Sequence, residues 1–312
     1  MAVSRRAPSR GRTVSASATS AKLSLRLGIG FLLGAAVAFA ANHLGARIAF
    51  DHGACVAAAV TVRATSLSLV LLLVMRLQGI SLVIPRELRG RALLAGMLLA
   101  SQSYCLYSAV ALIPPALALL AFQTSPVLYV LLTWAMGKET PRWSALPPML
   151  LALAGLAFAL DLRTGELAAR WSEIGTGVLW AFASSASMTV VYFLNANALK
   201  ALDGPRRTFA MTSVTAVLVF AAGAAADALA LPRDATGWVG LVSLTVFYCM
   251  AMIALFFVLP RLPAASTAAL NLEPIALLFL AWIFLGHEVT PLQLLGAFIT
   301  VGAIAWLGAA KR

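Results

Sequence analysis

Charged residues are scarce in this chain. Of 312 residues only 11% are charged, against 62% that are hydrophobic. A soluble domain carries about 25% charged residues, so too few ionisable groups are present to cover a water-facing surface. Acidic residues are rarer still, 11 against 23 Lys and Arg, for a net charge of +12. A nucleic-acid partner would need those cations gathered in a patch. They lie instead in tails and short loops between apolar runs, which excludes that partner. Cysteine is limited to Cys55, Cys105 and Cys249, an odd set without a CxxC pair, in or beside apolar runs. They read as small apolar packing residues. The three histidines, His43, His52 and His287, have no ligand spacing, so no metal is expected, and no cofactor. GxSxG, HExxH, P-loop and dinucleotide fingerprints are all missing. No loop is long enough for a nucleotide site, and no histidine lies near the centre of an apolar run to serve an intramembrane hydrolase. The expectation is a protein that is not an enzyme.

What the chain does have is apolar length. The hydrocarbon core of a bilayer is about 30 Å thick and takes roughly 20 apolar residues per helix. The sequence predicts ten spans, near 27–49, 54–75, 92–113, 116–136, 143–160, 174–198, 207–229, 238–260, 264–286 and 291–310. Pro114 and Pro115 supply the break between the third and fourth, and Pro263 that between the eighth and ninth. Residues 1–26 read as a disordered basic tail, with an organellar transit peptide as the alternative for this Arg- and Ser-rich stretch. Of the 23 Lys and Arg, 18 fall in the tails and the loops after even-numbered spans, 4 in the opposite loops, and Arg63 inside a span. The positive-inside rule then puts both termini in the cytoplasm and suits an inner membrane.

The two halves of the chain echo each other. Pro115-Ala116 matches Pro263-Ala264, Pro126 matches Pro274, Gly137-Lys138-Glu139 matches Gly286-His287-Glu288, and Pro141 matches Pro291. The offsets are 148, 148, 149 and 150 residues. Five spans per half is an odd number, so the second half must enter the membrane upside down. The expected fold is therefore all-α: a polytopic membrane protein of ten transmembrane helices in two inverted five-helix repeats. The first repeat is placed at 27–160, an external linker at 161–173 and the second repeat at 174–312.

This pattern resembles the drug/metabolite transporter superfamily, in particular its EamA-type ten-helix members. The segment NLEPIALLFLAWIFLGHEVTPLQLLGAFITVGAIAWLG at 271–308 carries the resemblance. Its first-half equivalent, TSPVLYVLLTWAMGKETPRW at 124–143, is weaker, with Ser in place of Glu before the proline. The resemblance implies secondary active transport of a small metabolite or drug-like molecule by alternating access. Its partners would be that substrate and the lipid bilayer, with proton-coupled efflux as the expected mode. A membrane-embedded lipid-acting enzyme and a non-transporting membrane subunit stay open as alternatives. Substrate, direction and oligomeric state are not legible.

Two ionisable residues lie well inside spans, Arg63 and Glu273. A charge at the bilayer centre costs about 2.5 to 3.5 kcal/mol on insertion scales, so it should face a cavity or a partner. Glu273 is a candidate proton-coupling or substrate-binding carboxylate, or else a structural ion-pair partner of Arg63. Pro126 and Pro274 each remove a backbone donor near the middle of a span, which makes them hinge candidates or simple kinks. Gln123 and Asn271 each lie three residues before a matched proline. With Tyr104, Tyr107, Tyr248 and Asn195 they are candidates for a cavity wall, or for interhelical hydrogen bonding. Gly30 and Gly34 form a GxxxG, which reads as close helix packing.

The charge count generates a topology test. A cysteine in Glu166→Cys should react with an impermeant thiol reagent outside intact cells, and one in Asp203→Cys should not. The reverse pattern overturns the orientation.

Overall fold

The computed structural model describes residues 25–138, 143–159, 167–258, 261–262, 269–286 and 288–310. Nearly all of the basic tail, the matched Glu139, Pro141, Pro263, Ala264 and His287, and residues 161–166 of the expected linker lie outside the described residues. Helices make up the fold, and no strand occurs among the described residues. They are α1 (Leu25–Asp51), α2 (Val56–Leu77), α3 (Arg86–Leu112), α4 (Pro115–Phe122), α5 (Ser125–Ala135), α6 (Leu146–Ala159), α7 (Leu167–Asn197), α8 (Gly204–Ala225), α9 (Ala235–Val258), α10 (Glu273–Leu285) and α11 (Pro291–Ala310).

Seven segments are long and apolar enough to cross a membrane, one of them α4 and α5 taken together as Pro115–Ala135. Three shorter apolar helices, Trp143–Ala159, Ala269–Leu285 and Pro291–Leu307, occupy the fifth, ninth and tenth expected positions. Large apolar side chains such as Leu73, Phe220, Val239 and Phe284 stand on the outside of the bundle. That is the arrangement lipid requires, because burying apolar surface gains nothing where the solvent is itself apolar.

Local chemistry sets the helix ends. Pro114 precedes α4 and Pro115 takes its first turn, where a missing N–H costs nothing. α3 starts at Arg86, earlier than its apolar run, because Pro85 stands at the cap and Glu87 lies in the first turn. α7 likewise starts at Leu167, inside the segment expected as a linker. α5 and α10 end on the matched glycines Gly137 and Gly286, both left-handed at φ 62° and 64°. Only glycine takes that conformation without strain.

The fourth segment differs from the expected kinked helix. α4 ends at Phe122 and α5 starts at Ser125, so Pro126 sits in the first turn of a new helix. The Thr124 hydroxyl donates to the carbonyl of Ala121 at 2.9 Å, satisfying one group freed by the interruption. Pro274 likewise occupies the first turn of α10, behind a 3-10 turn over 269–272. Both prolines therefore start helices, because their missing donor is harmless only there.

The packing is pairwise. α1 lies on α9, α3 on α7, α6 on α11 and α2 on α8, with further contacts of α1 on α10 and of α7 on α4 and α5. Exchanging the first five apolar segments for the last five turns α1 on α9 into α7 on α3. It turns α1 on α10 into α7 on the α4–α5 segment. The pairings α2 on α8 and α6 on α11 map onto themselves.

Close approach uses glycines other than those expected. Gly30 and Gly34 are exposed, with nothing among the described residues near where a Cβ would stand. The contacts are instead at Gly45 with Gly240 and at Gly155 with Gly296. A Cβ on Gly240 would lie 2.7 Å from both the Ala49 nitrogen and the Gly45 carbonyl oxygen. The α1 glycine that meets the backbone of a neighbouring helix is thus Gly45, near the end of α1, and not Gly30 or Gly34. Gly240→Val should therefore destabilise the protein by about 1–3 kcal/mol through overpacking, while Gly30→Val should leave it unchanged. Thermal unfolding of the purified protein measures both, and equal shifts would refute the assignment.

Candidate functional site

Polar side chains inside the bundle gather in three connected groups. The first surrounds Arg63 of α2, which is buried. Its Nη2 donates to the Ser103 hydroxyl at 2.8 Å. Its guanidinium lies over two rings, 4.1 Å from the centroid of Tyr248 and 4.7 Å from that of Tyr107. Cation–π contact of this kind gains strength where water is excluded. Tyr107 is fully buried, and Asn42 clasps its hydroxyl, Oδ1 accepting at 2.6 Å and Nδ2 lying 2.7 Å away. Arg63 Nε is buried with no hydrogen-bond partner among the described residues.

The second group is an acid with a base. Glu273, at the start of α10, lies with Oε1 3.1 Å from Nδ1 of His43 on α1. The same Nδ1 is 2.9 Å from the Phe39 carbonyl. Both neighbours are acceptors when Glu273 is ionised, so Nδ1 carries the hydrogen. The expected Arg63–Glu273 ion pair is corrected here: Glu273 pairs with His43, and Arg63 is held by a hydroxyl and two rings. The imidazole of His43 also lies 5.6 Å from the Tyr107 ring, between the two groups. Among the described residues no serine or cysteine is a hydrogen-bond partner of His43. At the position that matches Glu273, the carbonyl of Ser125 accepts from Thr189 of α7 at 3.2 Å, and the neighbouring Thr124 and Ser185 hydroxyls lie 2.7 Å apart. One joint of the pairing is thus ionisable, and its counterpart is built from hydroxyls.

The third group lines a cavity of about 590 Å³. Its wall includes Pro126 and Tyr129 of α5, Tyr192 and Asn195 of α7, Arg207 of α8, and Asn271 just before α10. The Tyr129 and Tyr192 rings meet edge to face, 6.4 Å apart. Arg207 Nη1 donates to the Asn195 carbonyl at 3.3 Å.

At the far end of α8 two connections are tied together. The α8 helix has 22 residues and is about 33 Å long, with Arg207 in its first turn and Ala228 just past its last. The Cys55 thiol donates to the Ala228 carbonyl at 2.8 Å and accepts from the Ala58 N–H at 3.3 Å, capping α2. Cys55 is therefore a hydrogen-bonding cap, unlike the buried Cys105 and Cys249. His52 Nδ1 lies 2.7 Å from Asp234, whose other oxygen accepts from the Gly237 N–H at 2.8 Å. Two backbone bonds, Cys55 N–H to Ala230 and Arg233 N–H to His52, complete the clasp.

Pro126, Asn195 and Asn271 thus share the cavity, while Tyr107 and Tyr248 belong to the Arg63 group. Gln123 caps the end of α4. Tyr104 is 41% exposed and packs edge to face on Trp180 at the outside of the bundle, which removes it from the interior candidates. His43 and Arg207 are not singled out by the sequence. A lone histidine has no spacing to flag it, and Arg207 counted only as a loop cation.

Apolar helices with a polar interior and an aqueous-sized cavity define a multi-pass membrane protein. The EamA-like transporter family matches residues 26–160 and again residues 175–309. The chain belongs to that family and is a membrane transporter of the drug/metabolite type. It is similar to a solved structure described as "Crystal structure of protein", with a TM-score of 0.60 and 19% identity over 91% of this chain and 96% of that chain. That likeness shows a shared fold. No curated protein matches the chain.

The clasp generates a pH test. The Gly237 N–H and His52 hold the Asp234 carboxyl below the usual carboxylate range. A depressed folded-state pKa gives stability that is fully present above the ordinary value of about 4 and lost as pH falls through the lower folded value. Asp234→Asn should therefore unfold at lower temperature than the wild type at neutral pH, with the difference shrinking at strongly acid pH. A difference that is constant with pH would remove the charge from the account.

Proposed function

We propose that this protein is a secondary active transporter of a small molecule that works by alternating access between two inverted five-span repeats. The observation that carries the reading is the cavity. It reaches the helix interruption at Pro126 and the matched segment at Asn271 from one end of the bundle, while the Cys55–Asp234 clasp ties the other. A site at a helix break between repeats, open to one side at a time, is what alternating access needs. The five short or long apolar segments of each half, and the exchange symmetry of their packing, support the inverted relation. With both termini cytoplasmic, as the Lys and Arg asymmetry argues, the cavity faces the cytoplasm. That suits efflux from the cell across the inner membrane.

Coupling falls to Glu273 and His43. A carboxylate and an imidazole in contact can hold one proton between them, and the polarity of their surroundings decides whether it stays. Rocking α10 against α1 would part them, exposing the carboxylate to water on one side and returning it to the imidazole on the other. Asn271, two residues from Glu273, lies on the cavity wall, so substrate and proton would be felt by the same turn of chain.

The experiment uses liposomes containing only the purified protein and a trapped pH dye. A panel of amino acids, nucleosides, polyamines and organic acids is screened for compounds that drive proton flux. Glu273→Gln should abolish proton-driven accumulation and leave substrate exchange at equilibrium intact, because exchange does not need the proton. His43→Gln should shift the pH at which flux is half-maximal. Because Arg63 and Glu273 hold different partners, adding Arg63→Gln to Glu273→Gln should not restore transport. Accumulation at the wild-type rate in Glu273→Gln would falsify the coupling role.

A further inference from the structure

The cavity also carries information about what enters it. We infer that the substrate is an organic anion, with its negative group held by Arg207 and a planar body lying against Tyr129 and Tyr192. This inference rests on the reading of the cavity as the substrate site.

Among the described residues that line the cavity, Arg207 is the one that carries a charge. Its guanidinium has five N–H donors, and among the described residues its one hydrogen bond is the 3.3 Å contact to the Asn195 carbonyl. No carboxylate among the described residues pairs with it. The acid nearest to it in sequence, Asp203, is already paired with Arg206 at 3.2 Å. Arg207 also sits in the first turn of α8, where the unpaired N–H groups add positive potential, and the Asp203 side chain does not cap them. Half-buried at the wall of an apolar bundle, this charge is screened less than one in water. It calls for a negative partner that the described protein does not supply.

The rest of the wall describes the body of that partner. Two tyrosine rings meeting edge to face, nearly perpendicular, give an aromatic corner against whose exposed faces a planar body can lie, and Asn195 and Asn271 give neutral donors and acceptors. A volume of about 590 Å³ suits a drug-sized molecule and is far more than an inorganic ion fills. A cationic substrate would seek a carboxylate, and the carboxylate in this part of the bundle, Glu273, is engaged by His43 at 3.1 Å.

The test uses three probes with one body: 2-naphthoate, 2-naphthamide and 2-naphthylmethylamine, with inorganic phosphate as a fourth. Each is titrated calorimetrically into the full-length protein in detergent, with empty micelles subtracted. The wild type should bind naphthoate at least ten times more tightly than the amide, and should bind neither the amine nor phosphate measurably. Arg207→Gln should erase the preference for the carboxylate. Arg207→Lys, which keeps the charge without the fork, should retain part of it, and Arg261→Gln should retain all of it. Tyr192→Ala should weaken naphthoate and naphthamide by the same factor. Tighter binding of the amine or of phosphate, binding of none of the probes, or an unchanged carboxylate preference in Arg207→Gln overturns the inference. Proton flux in the liposome experiment is read without these probes. An intact flux with no anion preference sinks this inference alone, and an anion preference without any flux sinks the transport reading and leaves Arg207 holding an organic anion that is a bound ligand and not a substrate.

Discussion

In the hydrocarbon interior of a membrane every backbone N–H and C=O must find a partner within the protein, since no water is available. The rest of this structure follows from that constraint. It forces the chain into helices, and it allows an interruption only where protein or a cavity can receive the freed groups. The fourth apolar segment is interrupted at Thr124, and there the Thr124 hydroxyl covers a carbonyl of α4 while Ser185 and Thr189 of α7 bond to the adjoining residues. The cavity begins one turn away, at Pro126 and Tyr129. Irregular backbone, hydroxyl side chains and accessible space therefore occur together because each is tolerable only in the company of the others.

Small residues set how closely the helices meet. Gly45 with Gly240 brings α1 against α9, and Gly155 with Gly296 brings α6 against α11, each at distances where no Cβ fits. Without a hydrophobic drive between helices, such contacts supply much of the cohesion by dispersion. They leave α1 and α9 as one paired unit and α6 and α11 as another. The ionisable joint, His43 with Glu273, lies where α1 meets α10, outside either glycine-locked pair.

Much of this was legible in the sequence, and the part that was not has physical reasons. Hydropathy locates segments because a bilayer imposes one length, and the matched Gly137 and Gly286 are legible because only a left-handed turn demands glycine. Pro126 and Asn271 are legible because a duplicated chain repeats its breaks. Partners across the bundle are not legible. His43 and Glu273 are 230 positions apart, and nothing local to either tells of the other. Gly30 and Gly34 carried the right spacing on a face that no neighbour covers. Arg207 looked like one more cytoplasmic cation, since which side of a helix a charge takes depends on what packs beside it.

The mismatch between Glu273 and Ser125 bears on the proposed mechanism in a further way. If a transporter were built from two identical inverted halves, its two end states would be related by the two-fold axis in the membrane plane and would have equal energy. Nothing in the protein would favour one over the other, and an empty carrier would divide its time evenly between the two sides. Such a device equilibrates but has no resting posture. On the proposed mechanism, having one acid–base joint and one joint of the hydroxyls of Thr124, Ser185 and Thr189 with the Ser125 carbonyl would lift that degeneracy. The duplication would then supply the two states, and the divergence between the halves, this joint included, would decide which one the empty protein occupies.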